Sequence, residues 1–226
     1  MSGKKYREKI KLVDPTKRYE PSEAFALIKQ VSYAKFDNTV DCAFRLGIDV
    51  KKSDQQVRGT VSLPHGTGRT IKVAVIAVGD QARAAKEAGA DLIGDDDLIN
   101  SIAKGQIDFE LLIATPDMMA KVGRLGKVLG PRGLMPTPKA GTVTPDAAKA
   151  VKEFKAGKIE YKADKQSNVH CVLGKVSFST EQLAENYATV LDAIRKAKPA
   201  TSKGVYLRNV SVSPTMGPAL ALAVSA

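Results

Sequence analysis

The apolar residues of this 226-residue chain keep one period at its two ends and another in its middle, and that contrast constrains the fold more than any single motif. Val40, Cys42, Phe44, Leu46, Ile48 and Val50 alternate with Asp41, Ala43, Arg45, Gly47 and Asp49, the period-two pattern of a strand with one buried and one wet face. From Ile71 to Val78 the apolar run is nearly continuous, which predicts a strand buried on both faces. Alternation returns at Val169, Cys171 and Leu173, and again at Val205 and Leu207, where its phase slips by one to Val210 and Val212. A bulge near Asn209 accounts for the slip.

Helical spacing fills the intervals. Pro21 suits a first turn, and Ala24, Phe25, Ile28 and Val31 give a short amphipathic helix after it. Leu183, Tyr187, Val190, Leu191 and Ile194 recur at three and four, with Ser179 and Gln182 at capping-box spacing. In the middle, helices over Gln81 to Ala88, Asp95 to Lys104 and Pro116 to Val122 alternate with strands at Asp91 to Gly94 and Phe109 to Ala114, the order of a parallel α/β sheet. A further helix starts at Thr144 or Pro145 and stops at Gly157. Between them, residues 123–141 hold five Gly, three Pro, four Lys or Arg and no acid, too many breakers for one regular element.

Matching texture at the ends predicts a discontinuous α+β domain from residues 1–66 and 160–226, with a Rossmann-like α/β domain, residues 67–159, inserted in it. Gly66, Gly68 and Gly157 stand at the two crossings, where they form either a hinge or ordinary tight turns.

Charge bears on partners. A formal net charge of +11 attracts polyanions, although a soluble basic surface accounts for the same number. The two-segment domain holds 21 Lys and Arg against 13 acids and the insert 14 against 11, so the former is expected to supply most polyanion affinity. The apolar runs Val73 to Val78 and Ala219 to Val224 are far too short to span a bilayer, and Met1 to Lys11 lacks an apolar signal core. A soluble, cytoplasmic chain with no membrane partner is expected.

Several chemistries lack their residues. Cys42 and Cys171 belong to no C-x-x-C, and with His65 and His170 as the sole histidines neither zinc nor a Cys–His nucleophile is supported; buried thiols in a reducing compartment are expected. Gly66 and Gly68 precede a strand instead of following it, Gly79 stands alone after one, and neither Gly123 to Lys127 nor Gly130 to Leu134 makes a phosphate loop. There is no G-x-S-x-G or H-E-x-x-H, and Asp95, Asp96 and Asp97 read as a helix start. An α/β enzyme for a phosphorylated metabolite stays open as a second class. A general single-strand binder conflicts with 5% aromatic content and no Trp.

What is left is polar, basic and glycine-rich. Lys35 and Phe36 put a cation beside an aromatic, near Asn38 and Thr39 at the start of the clean strand. Asp164, Lys165, Gln166, Ser167 and Asn168 form a polar turn before a strand, and Thr215, Met216 and Gly217 another after one. The three clusters are expected to meet on one surface.

Residues Ala114 to Met119 (ATPDMM), Val122 to Pro136 (VGRLGKVLGPRGLMP), Pro138-Lys139 and Gly141 to Thr144 (GTVT) together resemble the bacterial ribosomal protein L1 family. Ala88 to Asp91, Gly94 to Ile99, Asp164-Lys165, His170, Gly174-Lys175 and Thr215 to Pro218 fall in the same order, so the resemblance covers essentially the whole chain. It implies a non-enzymatic component of the large subunit's mobile stalk, without cofactor or metal, monomeric off the ribosome. Its implied partners are large-subunit rRNA, exit-site tRNA, whose release it assists, and its own operon mRNA, which it represses. It implies RNA recognition by Lys35, Phe36, Thr39, Asp164, Lys165, Ser167, Thr215, Met216 and Gly217, Ser167 standing where a glycine is expected. The insert's basic run, with Arg124, Lys127, Arg132 and Lys139, is the candidate tRNA-facing loop. In physical terms Lys35 and Lys165 would neutralise phosphates, Phe36 would pack on a base or ribose, Thr39 and Thr215 would reach 2′-hydroxyls, Met216 would adapt to an apolar contact, and Gly217 would let backbone approach RNA.

Overall fold

The computed structural model describes residues 3–223. In chain order its helices and strands are α1 (Lys4–Ile10), α2 (Pro21–Val31), β1 (Thr39–Leu46), β2 (Arg58–Ser62), β3 (Val73–Ile76), α3 (Asp80–Glu87), β4 (Leu92–Gly94), α4 (Asp96–Ala103), β5 (Leu111–Ala114), α5 (Met119–Val122), α6 (Gly126–Leu129), α7 (Ala147–Lys155), β6 (Lys158–Lys162), β7 (Asn168–Lys175), α8 (Thr180–Lys196), β8 (Leu207–Pro214) and β9 (Leu220–Ala221). Short 3₁₀ turns join several of them. The chain divides into two compact units, Met1–Gly68 with Ile159–Ala226, and Arg69–Lys158.

In the two-segment unit, β7, β1, β8 and β9 form an antiparallel sheet in that order. The alternation of β1 sends Val40, Cys42, Phe44 and Leu46 into a core completed by Phe25 and Ile28 of α2 and Leu183, Tyr187, Val190 and Ile194 of α8. Tyr187 is the keystone ring, edge-on to Phe25 at 6.0 Å and stacked on Phe44 at 6.3 Å. Burying each such side chain contributes about 1.5–3 kcal/mol. Ser179 and Gln182 make the expected reciprocal cap of α8. Cys42 and Cys171 face each other across β1 and β7 as free, buried thiols; burial pushes both upward, Cys171 to about 12.

Strand β1 ends earlier than its alternation predicts. Gly47 N–H still donates to the Tyr206 carbonyl at 2.6 Å, the turn follows over residues 49–52, and Ile48 and Val50 lie outside the sheet. The phase slip near Asn209 is a real irregularity: Arg45 pairs with Asn209 and Leu46 with Leu207, which makes Arg208 the extra residue. Val205, read as strand from its spacing, lies before β8 and is 71% exposed. Strands β2 and β6 pair as a separate ribbon that no periodicity announces.

The second unit carries a parallel sheet in the order β4-β3-β5. All four β3 residues are buried because the strand is covered twice. Val73 and Val75 meet Ala85 of α3 and Val151 and Phe154 of α7, while Ala74 and Ile76 meet Ile102, Val122, Leu125 and Leu129. The glycine-rich run is therefore partly helical, with Val122, Leu125 and Leu129 anchoring it to the core and Arg124, Lys127, Arg132 and Lys139 exposed. Helix α7 starts at Ala147, three residues after Thr144 and two after Pro145, because the Asp146 carboxylate caps it, accepting from Lys149 N–H at 3.0 Å. Among the described residues no helix is long and apolar enough to cross a membrane.

Candidate nucleic-acid interface

Helices cover one face of the four-stranded sheet, and the other is open. Across it run three rows fixed by register: Val172, Asp41 and Ser213; His170, Ala43 and Ser211; Asn168, Arg45 and Asn209. None of these nine residues is buried. Asp41, in the row nearest Thr39, is the acid among the nine; partial burial raises its pKa, against the pull of His170 and Lys175.

One end of this face is tied by Thr39 and Thr215. The Thr39 N–H donates to Thr215 Oγ1 at 3.0 Å, and Thr215 N–H donates to the Thr39 carbonyl at 2.9 Å. Lys175 Nζ donates to Thr39 Oγ1 at 2.9 Å, a partner that the spacing of β7 did not reveal. The preceding turn is pinned as well: Ser177 N–H and hydroxyl both donate to the Asp37 carboxylate, at 3.1 and 2.7 Å, and buried Asn38 donates to Ser32 Oγ. Lys35 is exposed on this turn, and Phe36 and Met216 are large apolar side chains left 58% and 43% exposed. Gly217 has a nearer constraint than a ligand, since a Cβ there would lie 2.6 Å from Pro214 Cγ.

The turn before β7 lies at the opposite end. Asn168 pairs with Arg45 and Lys175 with Thr39, so six strand residues separate the two ends, about 20 Å at 3.3 Å per residue. The three clusters therefore border one sheet, as expected, but are not contiguous. Two meet, and Asp164, Lys165 and Ser167 bound the far edge of the same sheet. Asp164 is turned inward: its carboxylate accepts Asn168 N–H at 2.7 Å and Gln166 N–H at 2.8 Å, and these bonds hold its pKa below the ordinary value. Ser167 adopts φ +66°, the left-handed region that favours glycine, and its hydroxyl donates to the Ile48 carbonyl at 2.9 Å. Lys165 and Gln166 are exposed on that turn.

Gly66, Gly68 and Gly157 all take positive φ, at 65°, 68° and 109°. Each occupies a backbone turn that a side chain would strain. Arg45, His170 and Asn209 join this face through register; a period-two pattern marks the wet side of a strand but gives its residues no role.

A large open sheet face, rimmed by cations, exposed apolar side chains and pinned hydroxyls, has the composition of an RNA-binding surface rather than a catalytic pocket. A family profile described as "Ribosomal protein L1p/L10e family" matches residues 28–218. The large ribosomal subunit protein uL1 of Kitasatospora aureofaciens is 60% identical over 212 residues, covering 93% of this chain and 88% of that protein. The chain belongs to the ribosomal protein L1p/L10e family, whose members are structural, non-enzymatic proteins of translation.

Proposed function

We propose that the two-segment unit grips a structured segment of large-subunit rRNA along its open sheet face, as part of the mobile stalk of the cytoplasmic ribosome. The observation that carries this is the pair of pinned clusters, Thr39 with Thr215 and Asp164 with Ser167, bounding one unburied face. Lys35 and Lys165 neutralise phosphates, while Phe36 and Met216 pack against unstacked bases or riboses. Thr39, Ser167 and Thr215 hold loops in shape, Asp164 shapes the turn that presents Lys165, and Gly217 lets the last loop close over Pro214.

The inserted unit would face exit-site tRNA with Arg124, Lys127, Arg132 and Lys139 and assist its release. Gly66, Gly68 and Gly157 would act as the hinge between the units. An rRNA-like fold in the operon mRNA would compete for the same sheet face, giving repression. Off the ribosome the protein is proposed to be a monomer.

Filter binding of the intact chain to a large-subunit rRNA stalk fragment tests the central claim. Nanomolar, sequence-dependent binding is expected, and replacing Lys35 by Ala should flatten the plot of log affinity against log salt by about one unit. Equal affinity for the fragment and for an unrelated hairpin would overturn the rRNA assignment.

A further inference from the structure

The connection between α8 and β8 has no place in the interface so far. From Arg195 to Arg208 the chain holds five basic residues and no acid. Lys196, Lys198, Lys203 and Arg208 are exposed, and among the described residues Val205 is the most exposed of the large apolar side chains. None of the ion pairs among the described residues uses Lys198, Lys203 or Arg208.

This connection is held in place. Two of the unit's few buried polar side chains pin it: Ser202 donates to the Gly47 carbonyl at 3.1 Å, and Gln55 donates to the Thr201 carbonyl at 3.3 Å while accepting Asp49 N–H at 2.8 Å. Tyr206 is buried and donates to the Ile194 carbonyl at 3.1 Å. The fit is tight enough that a Cβ on Gly47 would lie 2.1 Å from the Val205 carbonyl oxygen.

Its position joins it to the sheet face. Residues 46–48 are the common anchor, with Leu46 N–H donating to the Ser167 carbonyl and Ser167 Oγ to that of Ile48 on one side, and Gly47 bonded to Ser202 and Tyr206 on the other. The turn presenting Lys165 and the connection presenting Lys203 therefore flank one short segment. Arg208, the bulged residue, is displaced from the regular ladder beside them, with its Nε 3.2 Å from where a Gly47 Cβ would sit. Asp49, the nearby acid, has an oxygen engaged by Lys51 N–H at 3.2 Å.

We propose that Lys198, Lys203 and Arg208, with Val205 among them, form a second RNA-backbone contact that continues the interface past the Asp164 end of the sheet. It rests on the rRNA reading above and adds the class of contact: phosphates neutralised by cations on a rigid platform, with Val205 against a ribose. Buried polar pins are what a cation cluster needs to hold one RNA geometry, because a mobile loop would lose conformational entropy on binding.

The test compares wild type, the double variant Lys203→Ala with Arg208→Ala, Val205→Ser, and Thr215→Ala, each as the full chain, on the same stalk fragment. Salt titration and hydroxyl-radical footprinting are the readouts. The double variant should lower the log–log salt slope by about two units and weaken binding on the order of tenfold or more at moderate salt. It should also expose nucleotides that Thr215→Ala leaves protected, while Val205→Ser weakens binding at unchanged slope. An unaltered slope and footprint in the double variant, with specific wild-type binding intact, would overturn this second contact alone. Absence of specific binding by wild type would instead bring down the rRNA reading on which it rests. Melting curves superimposable on wild type confirm that each variant is folded.

Discussion

Thr39 and Thr215, 176 residues apart in sequence, are joined by three hydrogen bonds: two between the Thr215 peptide and hydroxyl and the Thr39 carbonyl, at 2.9 and 3.2 Å, and one from Thr39 N–H to Thr215 Oγ1 at 3.0 Å. The Thr215 hydroxyl is thus spent inside the protein, where it fixes the loop carrying Met216. Its removal should act on loop shape first. Thr215→Ala is expected to cost about 1 kcal/mol of stability and 1–3 kcal/mol of RNA affinity, whereas Thr215→Ser, which keeps the oxygen, should recover most of both. Urea titration and filter binding check this; equal losses in the Ser and Ala variants would assign the effect to the methyl group.

Ser167 sets two opposing terms against each other. Its φ of +66° costs about 1–2 kcal/mol for a residue with a Cβ, and its bond to the Ile48 carbonyl returns about 1. Glycine would relieve the first, forfeit the second and add backbone entropy to the unfolded chain, so Ser167→Gly should fall within about 0.5 kcal/mol of wild type. Ser167→Ala keeps the strain and loses the bond. It should be destabilised by about 1 kcal/mol, and thermal melts that rank alanine at or above glycine would contradict the balance.

Such balances mark where sequence patterns stop being informative. The core faces of β1, β3 and α8 were legible because burial imposes a period, and the slip at Arg208 was legible as a break in one. Strands β2 and β6 were not, since each pairs mainly with the other and leaves one buried side chain, Val61 and Tyr161, too few for a period. Nor was α1, which buries no residue at all. At the site, the residue types at Thr39, Asp164 and Thr215 were visible, but which way each points is decided by partners more than a hundred residues away or by the local turn. An Asp beside a Lys looks alike whether its carboxylate faces RNA or its own backbone.

The inward carboxylate of Asp164 gives a pH signature. Its folded pKa lies below the ordinary 3.8, chiefly through the Asn168 N–H, so the folded state favours the ionised form. That stabilisation is fully present above the unfolded value and is lost as pH falls through the folded one. Asp164→Ala should cost about 1 kcal/mol at neutral pH, as loss of a comparable side-chain cap does. The gap to wild type in urea midpoint should shrink below pH 3.8; a gap constant from pH 7 to pH 3 would mean that the carboxylate's charge plays no part in the turn.

Gly217 separates two explanations of one residue. Were it glycine to admit RNA, Gly217→Ala would leave the free protein's melting temperature unchanged and weaken binding alone. The structure places the obstacle within the chain: the added methyl would sit 2.6 Å from Pro214 Cγ and 3.5 Å from the Val31 carbonyl oxygen. Pro214 is buried and paired with Val40, and a proline ring cannot rotate aside as a long side chain would. The strain must therefore move the Met216–Gly217 backbone or the end of β8, at a cost of about 1–3 kcal/mol. A lowered melting temperature without RNA, accompanied by weaker binding as Met216 is displaced, is the expected result. A melting temperature equal to wild type would return Gly217 to the role of admitting RNA.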